Sequence, residues 1–184
     1  MSHILSAPTD AAIAFVSLSL LDSASLSQTA VSIIFASVIP IAGIIFIAKT
    51  ERVDYDIPKR SMRIKPFIIG IINYFIGFIL LLWLKTPVLM TGLMLAYVIN
   101  TTIMLVITLY WKISIHAAGV TGPLTFIIYR LGLWSSFLYL LVIPVGLIRL
   151  KLKEHTLPQV IAGAILTILI TWIQILFIIP IIPT

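Results

Sequence analysis

The chain has 184 residues, of which 61% are hydrophobic and only 10% are charged, and its mean hydropathy is +1.20. A soluble domain of this length needs far more polar surface, so the composition excludes a water-soluble globular protein and indicates a membrane protein. The net charge of +6 suits contact with anionic headgroups or an anionic substrate, and the absence of cysteine excludes disulfide and thiol chemistry.

Residues 1–28 contain no Lys or Arg, and their apolar run 11–21 is short and stops at Asp22. We expect them to form an external or interfacial segment that lies at the membrane surface or is re-entrant. Residues 29–184 contain recurrent apolar stretches of about 20 residues without strand-like alternation, which predicts helical membrane spans. The predicted fold is an all-α, polytopic transmembrane helical bundle with six spans, at residues 29–48, 67–84, 87–110, 114–131, 133–148 and 159–180.

The loops between these spans differ in charge. Residues 49–66, 111–113 and 149–158 hold ten of the twelve Lys and Arg residues, and six spans place these three loops on one side. Because positive residues in short loops stay cytoplasmic, we predict a multi-pass protein of the cell membrane with the charged face inside and both termini outside. The predicted partners are membrane lipids and not nucleic acid. The sequence also allows the protein to form a homo-oligomer.

Residues 114–148 allow two topologies, a helical hairpin or one long tilted helix. The hairpin is favoured because a continuous helix would leave Arg130 near mid-membrane, and because Gly132 supplies a turn. A continuous helix would put His116 and His155 on opposite sides of the membrane. Two amides inside the spans, Asn73 and Asn100, are predicted to make hydrogen bonds between helices.

The starts of two predicted helices carry a common set of polar residues. Ser114 can cap one helix with His116 in its first turn, and Thr156 can cap another with His155 at its entrance. Arg149 approaches from the same loop as His155. Helix N-termini, imidazoles and a guanidinium together predict a site for a phosphoryl group.

Two histidines also suit a two-step phosphoryl transfer. One neutral imidazole can attack phosphorus and form a phosphohistidine, while a second histidine protonates the leaving oxygen and then activates water. No metal or other cofactor is predicted, because the acidic residues of the 49–66 loop, Glu51, Asp54 and Asp56, lack further ligands at metal-binding spacing.

The motifs resemble those of the type 2 phosphatidic acid phosphatase superfamily, whose members are six-helix lipid phosphatases with the motifs K-x6-R-P, P-S-G-H and S-R-x5-H-x3-D. The segment "ISIH" matches the second motif at Ser114 and His116, and "IRLKLKEHTLPQ" matches the third at Arg149 and His155. The basic segment that ends at Lys65 stands where the first motif is expected. The resemblance covers residues 50–165.

This resemblance implies roles for the matched residues. It implies that His155 is the nucleophile, that His116 is the general acid, and that Arg149 and Ser114 bind phosphate. The sequence departs from the third motif at Gln159, which replaces its aspartate; a glutamine four residues after the histidine can hold one ring nitrogen but supplies no charge. In the first motif Lys65 replaces arginine, and the spaced lysine must be substituted by Lys59, Arg60 or Arg63.

The expected function is therefore metal-independent hydrolysis of a lipid phosphate or diphosphate, with isoprenyl diphosphates among the candidate substrates of isoprenoid lipid metabolism. Alternatives remain. The protein could instead be a catalytically weakened or inactive member of this superfamily that binds lipid phosphates or has a structural role. Gln159 in place of the aspartate favours this alternative. A third alternative is a transporter or channel subunit. In that case we would expect ionisable residues deep inside the spans. Single histidines at helix ends are usually just interfacial polar residues.

Overall fold

Backbone groups in lipid must find partners within their own helix, and all regular structure in the described residues is helical. The computed structural model describes residues 7–51 and 64–182. Its α-helices are α1 (Ala7–Leu21), α2 (Leu26–Ile33), α3 (Ile39–Glu51), α4 (Ile64–Trp83), α5 (Val88–Tyr110), α6 (Ile115–Leu131), α7 (Val142–Lys151) and α8 (Leu157–Ile173). A π-helical stretch, Ile34–Val38, joins α2 to α3; a 3₁₀ stretch, Leu133–Leu141, leads into α7; and Gln174–Ile178 and Ile179–Ile181 continue α8.

Three turns meet at one end of the bundle. The side chain of Gln28 donates to the Leu84 carbonyl at 3.0 Å, which joins the start of α2 to the end of α4. Arg130, near the end of α6, donates to the Leu21 carbonyl at 2.8 Å and forms an ion pair with Asp22. We call this end, made of residues 21–26, 84–87 and 130–133, the far face.

The opposite end carries the two histidines and is called the histidine face; it comprises residues 110–116 and 149–157. Lys112 Nζ lies 3.8 Å from Glu154 Oε2, so an ion pair joins the α5–α6 turn to the α7–α8 loop. Lys151 and Lys153 are exposed at this end. Arg52, Lys59, Arg60 and Arg63, which the sequence assigns to the same charged face, lie outside the described residues.

The membrane character of the bundle is evident in its helices. Five are long and apolar enough to cross a membrane: Leu26–Thr50, Ile64–Trp83, Val88–Tyr110, Leu133–Lys151 and Leu157–Ile181. Each corresponds to a predicted span. Apolar side chains such as Ile72 and Phe75 on α4 are more than half exposed, which suits a surface that faces lipid.

The prediction of six spans is met only in part, because α6 is not among those five helices. It has 17 residues and contains the polar or helix-interrupting residues Thr121, Pro123 and Thr125, all buried. α6 packs against α1, α7, α8 and the 3₁₀ stretch Leu133–Leu141, so other helices surround it. Neighbouring helices can satisfy such residues where lipid cannot.

The predicted hairpin is present, and the single long helix is excluded. Gly132 has a φ of 100°, a conformation that favours glycine, and it ends α6. The chain then turns back, so that Tyr139 Oη lies 2.9 Å from Thr125 Oγ1 on α6. Trp172 of α8 donates to the same Tyr139 hydroxyl at 3.1 Å. His116 and His155 are consequently both at the histidine face.

The apolar run 11–21, predicted to lie at the interface or to be re-entrant, belongs to α1, one side of which packs against the rest of the bundle. α1 contacts α2, the Ile34–Val38 stretch and α6, and its residues Ala11, Ala14, Phe15 and Leu18 are at most 1% exposed. α1 ends at the far face and is 15 residues long, so at 1.5 Å per residue it begins about 21 Å below that face. Its first turn therefore lies within the bundle.

The two predicted interhelical amides are confirmed. Asn73 donates to the carbonyl of Phe35, in the π-helical stretch before α3. Asn100 donates to Thr171 at 3.0 Å and accepts from Gln174 at 2.8 Å. Gln174 begins the second π-helical stretch, so each of these wider turns is tied to a neighbouring helix by an amide.

Candidate functional site

The starts of α6 and α8 touch at the histidine face. Ser114 is the N-cap residue of α6, where its hydroxyl accepts from the Ala117 N–H at 3.4 Å, as predicted. The Ser114 N–H donates to the Gln159 carbonyl in the first turn of α8 at 3.2 Å. A Cβ on Gly163 would lie 2.5 Å from the Ser114 carbonyl oxygen, so only glycine allows this approach. The contact fixes one histidine-bearing segment against the other.

The side chain of Gln159 orients His155. The Thr156 N–H donates to Gln159 Oε1 at 3.1 Å, which identifies that atom of the amide as the oxygen. The same oxygen lies 3.3 Å from His155 Nδ1. Because an amide oxygen only accepts hydrogen bonds, a neutral His155 in this arrangement carries its proton on Nδ1 and its lone pair on Nε2. His155 itself is only 7% exposed.

Arg149 is held at the end of α7 by the loop that follows it. The backbone N–H groups of Glu154 and His155 both donate to the Arg149 carbonyl, at 3.1 and 3.4 Å. The loop therefore folds back and brings the backbones of Arg149 and His155 together in spite of the five residues between them, and both residues line the same cavity. Arg149 is 2% exposed, and a buried guanidinium favours a nearby anion.

A cavity of about 440 Å³ connects the histidine face to the interior of the bundle. Its walls come mainly from α3, α4, α5 and α6, and most of the lining side chains are apolar. Four polar side chains line it at the histidine face, namely His116, Arg149, Glu154 and His155. The second and third predicted motifs thus meet at one end of an apolar cavity.

Glu154 was not predicted as a site residue. It lines the cavity, and its carboxylate pairs with Lys112. An acid directly before His155 was visible in the sequence, but only the loop geometry shows that its side chain joins the site. It puts a negative charge beside the cationic end of the cavity, where it can compete with an anionic ligand for nearby donors.

Other predicted phosphate-binding residues are less closely associated with the cavity. The Ser114 side chain is fully buried as a helix cap and is not among the lining residues. Lys65 is exposed in the first turn of α4, although the next residue, Pro66, lines the cavity. The remaining candidates for the first motif, Lys59, Arg60 and Arg63, lie outside the described residues.

Fold and site together define a helical membrane protein with a histidine–arginine site at the mouth of an apolar cavity. Within residues 7–51 and 64–182, no three or more His, Cys, Asp or Glu side chains converge as a metal site would require. No family model, no curated protein and no solved structure matches the chain. The family resemblance therefore depends on the motif residues themselves.

Proposed function

We propose that the protein is an integral-membrane lipid phosphatase that hydrolyses a lipid phosphate or diphosphate through a phosphohistidine on His155. The observation that carries this proposal is the meeting of His116, Arg149 and His155 at one end of a mostly apolar cavity. The polar end suits a phosphate at headgroup level, and the apolar walls suit its hydrocarbon chain. Isoprenyl diphosphates remain candidate substrates.

The chemistry follows from the tautomer of His155. Its Nε2 lone pair attacks phosphorus, the bond from phosphorus to the leaving oxygen breaks, and protonated His116 gives its proton to that oxygen. His116 then takes a proton from water, whose oxygen attacks phosphorus and breaks the phosphorus–nitrogen bond. Inorganic phosphate leaves, and His155 is neutral again. Arg149 stabilises charge on the phosphoryl oxygens in both steps.

We further propose that the histidine face is cytoplasmic and that the protein resides in the cell membrane. The support is the sequence distribution of Lys and Arg, of which ten of twelve fall in the loops assigned to that face. The substrate would then be a lipid made or exposed on the inner leaflet.

A second candidate function is binding of lipid phosphates without turnover. Two observations favour it: Gln159 supplies no charge to stabilise an imidazolium, and Lys65 is exposed instead of lining the cavity. A protein of this kind would keep the Arg149 end of the cavity as an anion site and would not need His155 as a nucleophile.

Phosphate release by the purified protein in EDTA distinguishes the two functions. A panel of lipid phosphates and isoprenyl diphosphates would be compared for the wild-type protein, His155→Ala and Lys153→Ala; Lys153 is an exposed residue of the same loop. We expect His155→Ala to abolish release and Lys153→Ala to retain it. With ³²P-labelled substrate, acid quenching should destroy the label on the protein and alkali should preserve it.

Equal background rates for all three folded proteins would refute the phosphatase proposal. If a non-hydrolysable lipid phosphonate still bound and Arg149→Ala weakened that binding, the binding function would be favoured.

A further inference from the structure

The polar end of the cavity carries both signs of charge. Arg149 and the two histidines can hold an anion, whereas Glu154 is the one carboxylate among the described residues that line the cavity. A carboxylate repels a phosphate placed close to it, and a repulsive group of this kind decides which ligands a site accepts. Glu154 therefore affects which phosphates can bind beside it.

The loop between α7 and α8 holds Glu154 next to the proposed nucleophile. The backbone N–H groups of Glu154 and His155 both donate to the Arg149 carbonyl, at 3.1 and 3.4 Å. Consecutive Cα atoms are about 3.8 Å apart, so the side chains of Glu154 and His155 start side by side, and both line the same cavity. A group on a ligand close to the phosphate at His155 is then also close to the Glu154 side chain.

The ion pair with Lys112 leaves the Glu154 carboxylate able to accept from a ligand. Lys112 Nζ lies 3.8 Å from Glu154 Oε2, whereas a charge-assisted hydrogen bond is about 2.7–2.9 Å long. The two side chains are 27% and 26% exposed, so solvent screens the pair. Lys112 is not among the lining residues. Because a carboxylate offers about four acceptor positions, a donor inside the cavity does not have to displace Lys112.

We infer that Glu154 binds an ammonium group of the substrate, so that the site selects lipid phosphates with an amine on a carbon close to the phosphate ester. This role rests on the proposed function for the phosphate and adds the substrate class. Zwitterionic amino-lipid phosphates are favoured. Diphosphates, isoprenyl diphosphates included, are disfavoured because their second phosphate would meet the carboxylate. Glu154 is a specificity-determining residue and takes no part in bond breaking.

Two substitutions separate a contact with the ligand from the loss of the ion pair. Glu154→Gln removes the carboxylate and the ion pair together, whereas Lys112→Gln removes the same ion pair and keeps the carboxylate. A partly exposed pair contributes little to stability, so we expect both variants to fold. Glu154→Asp is the conservative variant, because it keeps the carboxylate on a side chain that is one methylene shorter.

The test compares headgroups on one hydrocarbon chain. The substrates would be tetradecyl phosphates whose second carbon carries an amine, a hydroxyl or only hydrogen, and tetradecyl diphosphate. Phosphonate analogues, in which a methylene group replaces the ester oxygen, would be used for binding. EDTA would be present throughout, so that no divalent cation occupies the carboxylate.

We expect the wild-type protein to bind the amino phosphonate about tenfold more tightly than the hydroxyl phosphonate, as for one hydrogen bond between charged groups. This ratio of affinities should fall to about one in Glu154→Gln and should be unchanged or higher in Lys112→Gln. The diphosphate analogue should bind more tightly to Glu154→Gln than to the wild-type protein. Glu154→Asp should keep part of the ratio, which keeps the test informative if Glu154→Gln does not fold.

The outcomes for the headgroup and for the phosphatase are distinguishable. Equal wild-type affinities for the amino and hydroxyl phosphonates, or an equal loss of the ratio in Glu154→Gln and Lys112→Gln, would overturn the inference even if phosphate is released. Selective binding of the amino phosphonate without release from any phosphate would overturn the proposed hydrolysis and leave the role of Glu154 standing.

Discussion

The contact between Gly163 of α8 and the N-cap of α6 should be essential for both stability and activity. In Gly163→Ala the new Cβ would start 2.5 Å from the Ser114 carbonyl oxygen, whereas ordinary contacts begin at about 3.4 Å. The Cβ is fixed directly to the backbone of α8, and the oxygen belongs to the backbone at the start of α6. Because helix hydrogen bonds hold both backbones, the two helix starts must separate by nearly that difference. The Ser114 N–H bond to the Gln159 carbonyl, now 3.2 Å, would be stretched with them.

Two magnitudes follow from this displacement. Overpacking costs about 1–3 kcal/mol of unfolding free energy, and alanine returns about 1 kcal/mol of helix propensity relative to glycine. We therefore expect a net loss of up to about 2 kcal/mol. Because His155 and Gln159 move with α8 and His116 moves with α6, a shift approaching 1 Å should also lower kcat by about a hundredfold.

Reversible unfolding in mixed micelles measures the first effect, and phosphate release the second. Gly43→Ala is the stability control, because its Cβ would meet only Ile69 Cγ2 at an ordinary 3.8 Å. Its free energy of unfolding should be unchanged or higher. If Gly163→Ala were as stable as Gly43→Ala, the close approach of α6 and α8 would be refuted, whatever the enzyme assay gave.

Substitutions at two further positions test the orientation of His155 and the separation of the two faces. Gln159→Leu removes the acceptor for both Thr156 N–H and His155 Nδ1, so kcat should fall about a hundredfold with an additional stability loss of about 1 kcal/mol from the helix cap. Gln159→Glu keeps the acceptor and should retain stability; equal kcat values for the two variants would contradict the positioning role. At the far face, Asp22→Asn removes the ion pair with Arg130 and should lower the free energy of unfolding by about 1 kcal/mol or less. Phosphate release should be unchanged, and a large loss of release would show that this turn is coupled to the site.

Much of the helical architecture could be predicted from local sequence. The five apolar helices, the turn at Gly132 and the caps at Ser114 and Thr156 depend on residues within a few positions of each other. A polar cap, a glycine able to adopt positive φ, and an apolar run of membrane length act in the same way wherever the segment lies.

Part of the candidate site could also be predicted, but from the spacing of motif residues and not from local helix signals. His116, Arg149 and His155 were selected because their spacing resembles that of the superfamily motifs and because they stand beside helix starts. The structure brings all three to one cavity. Glu154 was missed, since an acid in a charged loop has no signal of its own. Lys65 was expected at the site, yet its side chain is exposed, because the direction of α4 in the bundle decides which face of its first turn meets the cavity.

The sequence by itself determined that this is a helical membrane protein and roughly where its five long apolar helices lie, and it predicted which residues could do phosphoryl chemistry. Only the tertiary structure decided that α1 inserts beside α6, that α6 is enclosed by its neighbours, and that a cavity remains between α3, α4, α5 and α6. The reason is physical. Hydropathy and caps act over a few residues, whereas a cavity exists only where helices distant in sequence fail to fill the space between them.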